Sequence, residues 1–355
     1  MGFYKKFVLL AAVISILTLL HRLNVISLPF FLRLPFLSSH PADEQDKIPP
    51  THHFILPSSG RQVAYSVYNP SLTSKTAFYL HGTPSSHYEA FLLASAARKS
   101  GLRVIALSRP GFGGSTFHEN ATLLDYPVDI LSLADYLNVK RFGIIAVSGG
   151  TPFAFACRKV IPRERLVGMG IVAGIYPTKS LGTEGMKMGS RVMLKVATWF
   201  PGLVEWAINQ QVGKIAEDEK KVEEMLVQEM EGSAQKEYEK EMWEKSSEEM
   251  RRAVVMSVRE GVRYGGKGAA WEMRLLGSDW GFELDDDEVM PKSRGELVMW
   301  HGDGDENVPV EMARRASERL GDKADLRIVE GQGHGTLTMF KADEIVKTVA
   351  EMLRG

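Results

Sequence analysis

The chain has 355 residues, 44% of them apolar and 25% charged. That composition fills a core and excludes disordered, collagen-like and coiled-coil readings. Lys and Arg number 43 against 44 Asp and Glu, a net charge of −1, so no excess of positive charge points to nucleic acid. The one cysteine, Cys157, excludes a disulfide framework and a Cys-rich metal site. It falls in the apolar, helical stretch 153–159 and is expected to be a buried structural thiol.

No acidic residue precedes Asp43. Lys5 and Lys6 lead into an uncharged apolar run at 7–20, His21 and Arg22 interrupt it, and 25–37 resumes it with Pro29, Arg33 and Pro35. Fourteen residues of helix rise only about 21 Å. The hydrocarbon core is roughly 30 Å thick, so the run spans it only if Arg22 snorkels. No small-residue cleavage site follows Leu20, which argues against a cleaved signal peptide. Met1-Gly2 does not open a myristoylation signal, because position 6 is Lys. Residues 1–24 are therefore expected to form an uncleaved membrane anchor, single-pass or monotopic, and 25–50 a linker. The expected location is the endoplasmic reticulum or secretory pathway. A mitochondrial leader is the alternative, weakened by the scarcity of Arg. A hydrophobic helix packed on the rest of the chain is the plainer reading.

Beyond the linker, strands alternate with helices. Strands are predicted at 62–69, 76–80, 102–107, 142–147, 166–173, 296–300 and 326–329. Helices are predicted at 88–99 (closed by Gly101 as a C-cap), 123–137, 151–160 and 337–353. This alternation implies an α/β fold with a mostly parallel central sheet, helices on both faces, and function at the C-terminal ends of the strands. The interval 176–291 differs. Stretches 194–210, 212–232 and 233–264 have helical spacing, and the interval holds five of the six Trp and ten of the 16 Met. It reads as a helical cap over a pocket. The organisation is then a core at 51–175, the cap at 176–291, and the rest of the core at 292–355. Most of the cap's Trp and Met are expected to pack its own small core.

Ser148 follows the apolar stretch 143–147 and precedes Gly149, Gly150 and a helix, the strand–turn–helix context of a nucleophile elbow. Ala146 and Gly150 supply the small neighbours such a sharp turn requires. A serine hydroxyl is a poor nucleophile until a base takes its proton. His334, in the GQGHG stretch at 331–335, is the candidate base. The base needs an orienting carboxylate. Asp305, in the HGDGDENVP stretch at 301–309, is preferred, with Asp303 and Glu306 as rivals. The order Ser148, Asp305, His334 differs from the chymotrypsin and subtilisin orders. The Gly149 N–H and the Thr83 N–H, the latter in the HGTP stretch at 81–84, are the candidate oxyanion donors. His81 is expected to be a structural hydrogen-bonder.

Together, HGTP at 81–84, RPGFGGS at 109–115, AVSGG at 146–150, HGDGDENVP at 301–309 and GHG at 333–335 resemble the α/β-hydrolase superfamily. The likeness is to its cap-bearing branch, with epoxide-hydrolase-like and proline-iminopeptidase-like members, over about 53–354. Two departures stand out. Ser108 occupies a position where that family often carries a structural Asp. The nucleophile position holds Ser, whereas the epoxide hydrolases and haloalkane dehalogenases of the branch use Asp.

The expected activity is a serine hydrolase, above all a carboxylic ester hydrolase, working through an acyl-enzyme on an apolar substrate. Such a triad implies no metal or organic cofactor, and the substrate-binding residues are not assigned. An aminopeptidase-type amide hydrolase is the alternative. It needs a cap acid cluster to hold an amino terminus, for which Glu223–Glu224 and Asp285–Asp287 are candidates. A carbon–carbon bond hydrolase or an acyltransferase could use the same triad. A non-catalytic binding protein on the same fold is the alternative of another class.

Overall fold

The computed structural model describes residues 47–70, 75–212, 215–230 and 234–354. The expected anchor at 1–24 lies outside the described residues, as does all of the expected linker except Lys47–Pro50. Among the described residues no helix is long and apolar enough to cross a membrane.

Eight strands form one sheet in the order β1-β2-β4-β3-β5-β6-β7-β8. They are β1 (His52–Ile55), β2 (Gln62–Tyr68), β3 (Thr76–Leu80), β4 (Arg103–Leu107), β5 (Phe142–Val147), β6 (Leu166–Val172), β7 (Leu297–Gly302) and β8 (Ala324–Val329). β1 runs antiparallel to β2 and β2 to β4, and every other pairing is parallel. Every residue of β3 and β5 is buried. Since alternate side chains face opposite ways, both faces of the sheet centre must be covered. The helices α1 (Ala94–Ser100), α2 (Pro127–Tyr136), α3 (Thr151–Val160), α10 (Val310–Leu320), α11 (Leu337–Phe340) and α12 (Ala342–Met352) accompany the strands. α12 packs on α1, β5 and β6, and α3 packs on β3, β5 and β6.

Between β6 and β7 the chain builds α4 (Met188–Trp199), α5 (Pro201–Val212), α6 (Glu219–Glu229), α7 (Ala234–Lys245), α8 (Glu248–Val262) and α9 (Lys267–Gly277). Two predicted long helices are broken. The 194–210 helix stops at Phe200, and Pro201 starts a new one at the position where its missing N–H does no harm. The 233–264 helix divides at Ser246-Ser247, where the Ser247 hydroxyl caps α8 by accepting from Met250 N at 3.2 Å. The predicted 337–353 helix is likewise two pieces, α11 and α12. Residues 87–93 form a 3-10 helix before α1 rather than part of it. Strand β1, α9 and α10 were not predicted. β1 is an edge strand whose only buried residue is Phe54, so it carries no alternating signal.

Ser108 is part of a buried hydrogen-bond chain with His87 and Thr51. Its hydroxyl accepts from His87 N at 3.0 Å and lies 2.7 Å from His87 Nδ1. The other ring nitrogen of His87 is 2.9 Å from the Thr51 hydroxyl.

Candidate active site

Ser148 sits at the end of β5 with φ of 50°, a left-handed backbone that is uncommon for a residue with a side chain. The chain turns there from strand into a short 3-10 helix and then α3. The turn needs Gly150. A Cβ at that position would sit 2.9 Å from the His81 carbonyl oxygen, 3.0 Å from the Leu80 carbonyl carbon and closer still to the Leu80 oxygen. Ser148 is half-buried, so its hydroxyl remains within reach of a ligand.

The loop after β8 brings His334 to the elbow from 186 residues away, with Nε2 2.9 Å from the Ser148 hydroxyl oxygen. Its Nδ1 lies 2.6 Å from Asp305 Oδ2. The other Asp305 oxygen accepts from Asn307 N at 2.8 Å and Val308 N at 2.9 Å, which fixes the carboxylate plane. Burial alone would raise the Asp305 pKa. The charge of His334 and hydrogen bonds from His301 and His334 outweigh it and hold the carboxyl below the usual carboxylate range. The rivals are elsewhere. Asp303 accepts the Gly331 N–H at 2.7 Å, and Glu306 pairs with Lys187 at 2.8 Å on the surface.

Thr83 faces the elbow. A Cβ on Gly149 would lie 2.9 Å from Thr83 Cβ and 3.4 Å from Thr83 N, so the two peptides border one small space beside Ser148. Among the described residues nothing accepts the Thr83 N–H. His81 is tied up beneath this loop. Arg109 N donates to its Nε2 at 3.1 Å, so its Nδ1 carries the proton and donates to the Gly82 carbonyl at 2.6 Å. Burial first, then the Arg109 charge, push its pKa well below the ordinary value. Neither nitrogen is available as a second base.

Arg109 and Glu272 are functional candidates that the sequence reading missed. The Arg109 guanidinium is fully buried and forks onto the Glu272 carboxylate, with Nε to Oε1 at 2.5 Å and Nη2 to Oε2 at 2.9 Å. Glu272 belongs to α9 and also accepts the Thr83 hydroxyl. A lone Glu inside an unpredicted helix gives no signal, although an Arg among prolines and glycines at 109–115 could have been questioned. Of the acids considered for holding an amino terminus, Asp285 and Asp286 pair away from this site. Asp286 pairs with Lys159 at 2.9 Å, at the far end of α3 from the elbow, and Asp285 with Arg319 at 2.8 Å. Glu223 and Glu224 lie on α6, which packs on α8.

A family model described as the alpha/beta hydrolase family matches residues 77–348, more than half of the chain. Among solved structures, a bromoperoxidase from Bacillus anthracis is 15% identical, with a TM-score of 0.57 over 86% of this chain and 100% of its own. An esterase from Exiguobacterium antarcticum is 13% identical, with a TM-score of 0.55 over 86% and 100% of the two chains. An epoxide hydrolase from Vigna radiata is 13% identical, with a TM-score of 0.58 over 86% and 98%. At such identities the likeness speaks to the fold alone. A comparison with curated protein sequences finds no match. With a family match running from β3 into α12, the chain belongs to the alpha/beta hydrolase family.

Proposed function

We propose that this protein is a serine hydrolase that cleaves an acyl bond, above all a carboxylic ester, of an apolar substrate through an acyl-enzyme on Ser148. The observation that carries the reading is the continuous relay Ser148–His334–Asp305, with links of 2.9 and 2.6 Å. His334 Nε2 takes the hydroxyl proton as Ser148 Oγ attacks the acyl carbon. The Thr83 and Gly149 N–H groups stabilise the resulting oxyanion, each such donor contributing about 3–4 kcal/mol. The proton on His334 then passes to the leaving alcohol. Water, deprotonated by the same nitrogen, attacks the acyl-enzyme and releases the acid. Asp305 remains ionised and holds the imidazole in the required tautomer.

The apolar substrate follows from the Trp- and Met-rich segment between β6 and β7, where a small cavity lined by Glu272, but by none of Ser148, Asp305 and His334, lies on the seam between α9 and the core. Phe117, Ala121, Tyr126, Phe153, Trp271 and Leu275 contribute to its wall. Attachment to a membrane through residues 1–24 remains part of the proposal. A second feature favours it: Trp199 at the end of α4, Phe200 after it and Trp206 on α5 stand exposed, Trp199 by 78% and Trp206 by 53%. Exposed Trp beside apolar neighbours suits the headgroup level of a bilayer. The amide-hydrolase reading loses one of its two acid clusters, because Asp286 and Asp285 pair with Lys159 and Arg319 away from the elbow.

The test is turnover by the full-length chain of p-nitrophenyl esters of rising acyl length, aminoacyl-p-nitroanilides and styrene oxide, beside Ser148→Ala. Ester turnover lost in the variant supports the proposal. Epoxide or anilide turnover without ester turnover overturns it.

A further inference from the structure

The loop that would supply Thr83 to the oxyanion is held by buried charges at nearly every polar group. The His81 carbonyl accepts from Arg109 Nη1, and the Gly82 carbonyl accepts from Nη2 at 3.0 Å. The Gly82 N–H donates to the buried Glu89 carboxylate at 3.0 and 3.1 Å. The Thr83 hydroxyl donates to Glu272 Oε2 and lies 3.0 Å from Arg109 Nη2. The Thr83 N–H, beside Gly149, has no acceptor among the described residues. The direction of that N–H is thus set by a guanidinium whose one carboxylate partner among the described residues, Glu272, comes from α9 in the segment between β6 and β7.

The same segment is pressed onto the core backbone. A Cβ on Gly268 of α9 would meet the Gly111 carbonyl oxygen at 2.8 Å, and one on Gly111 would meet Gly268 Cα at 2.9 Å. The two glycines let α9 lie directly on the 109–115 loop that carries Arg109. α8 approaches the neighbouring turn in the same way. Ser257 and Ser85 share a hydrogen bond of 2.7 Å, and Gly113 N donates to Glu260 O at 2.9 Å. An arginine with no exposed surface is costly to bury unless it is paired and its donors are used, and this pairing spans two separately built parts of the chain.

We propose that Glu272 and Arg109 are positioning residues that couple the seating of α9 to the oxyanion hole. The Thr83 N–H is aimed at the Ser148 site only while α9 rests on the 109–115 loop. The proposal rests on the serine-hydrolase reading of Ser148.

The test compares an ester with its thiono analogue, whose C=S oxygen replacement accepts hydrogen bonds poorly, in the full-length chain. A working oxyanion hole favours the oxygen ester. In Glu272→Leu, kcat for the ester falls roughly 100-fold with KM little changed, and the preference for oxygen over sulfur collapses. Glu272→Gln, which keeps an acceptor for Arg109, restores most of both. If Glu272→Leu does not fold, Gly268→Ala takes its place. It lifts α9 through the Gly111 contact without altering any charge, and the same collapse is expected. A folded Glu272→Leu or Gly268→Ala with wild-type kcat and oxygen preference overturns the positioning role. A wild-type chain with no ester turnover at all refutes the Ser148 reading instead and removes the proposal with it.

Discussion

Replacing Gly150 by Ala adds one methyl group and strikes the point where three parts of the site meet. The new Cβ would lie 2.9 Å from His81 O and 3.0 Å from Leu80 C, with Leu80 O nearer still. Ordinary carbon–oxygen contacts are about 3.3–3.6 Å. Relief therefore requires the end of β3 or the start of α3 to move by roughly 0.5–1 Å, and backbone is what must give. Overpacking of this kind costs about 1–3 kcal/mol. The end of β3 leads directly into His81, Gly82 and Thr83, so the loop that carries Thr83 moves with it, and a displacement near 1 Å can lower a rate about 100-fold. Thermal melting and kcat/KM on an activated ester measure both effects. Gly101→Ala is the control. Gly101 also has positive φ, at 62°, but has no neighbour within 4 Å of a Cβ and sits before β4, at the opposite end of that strand from Arg109. It should lose about 1 kcal/mol of stability and none of its activity. A Gly150→Ala chain that melts with the wild type and keeps its kcat/KM would refute the packing argument for the elbow.

Three further outcomes are expected. Asp305→Asn leaves the His334 ring without the acceptor that fixes its tautomer and lowers kcat by about 10⁴-fold, with KM little altered; a loss under tenfold would contradict the role. Burial, and to a smaller degree His53, lower the His87 pKa to about 3, so the folded chain keeps this ring neutral. Its stabilising effect is whole above the unfolded pKa near 6.5 and is lost as pH falls from there towards 3, by at most about 1.4 kcal/mol per pH unit. Urea unfolding midpoints between pH 7 and 4 should flatten in His87→Gln, and an unchanged slope would count against the assignment. For the membrane, an NBD fluorophore on Trp206→Cys of the full-length chain, bound to phospholipid vesicles, should be quenched by doxyl-labelled acyl chains. Cys157 is fully buried and does not compete for the label. The same fluorophore on Glu351→Cys, an exposed position of α12, should not be quenched, and equal quenching at both positions refutes membrane contact by α5.

The parallel centre of the sheet was legible because its strands are short, largely apolar runs, several of which end in glycine-rich turns. The residues the structure brings together at the elbow were legible for a related reason. Ser148, Asp305 and His334 sit in loops rich in small residues, and a reactive side chain among glycines is visible in the sequence before the close approaches those glycines allow are known. The helical interval was read less well. Its helices at 194–210 and 233–264 were joined in the sequence reading because periodicity continues across Phe200 and Ser246, and only the caps at Pro201 and Ser247 separate them. Arg109 and Glu272 were invisible for a physical reason. They are 163 residues apart, and nothing local marks an ion pair that exists only when α9 reaches the 109–115 loop. The preference for Asp305 over Asp303 came from spacing, and the two carboxylates do in fact differ sharply. One is buried against His334, the other exposed on Gly331.

The central claim is that Ser148 is an activated nucleophile. Full-length protein treated with a fluorophosphonate and digested for peptide mass spectrometry tests it most directly. The expected result is a single phosphonylated site at Ser148, formed rapidly in the wild type, slowly in His334→Ala and not at all in Ser148→Ala. A folded wild-type chain that remains unmodified, or that is modified at another serine, would contradict the account.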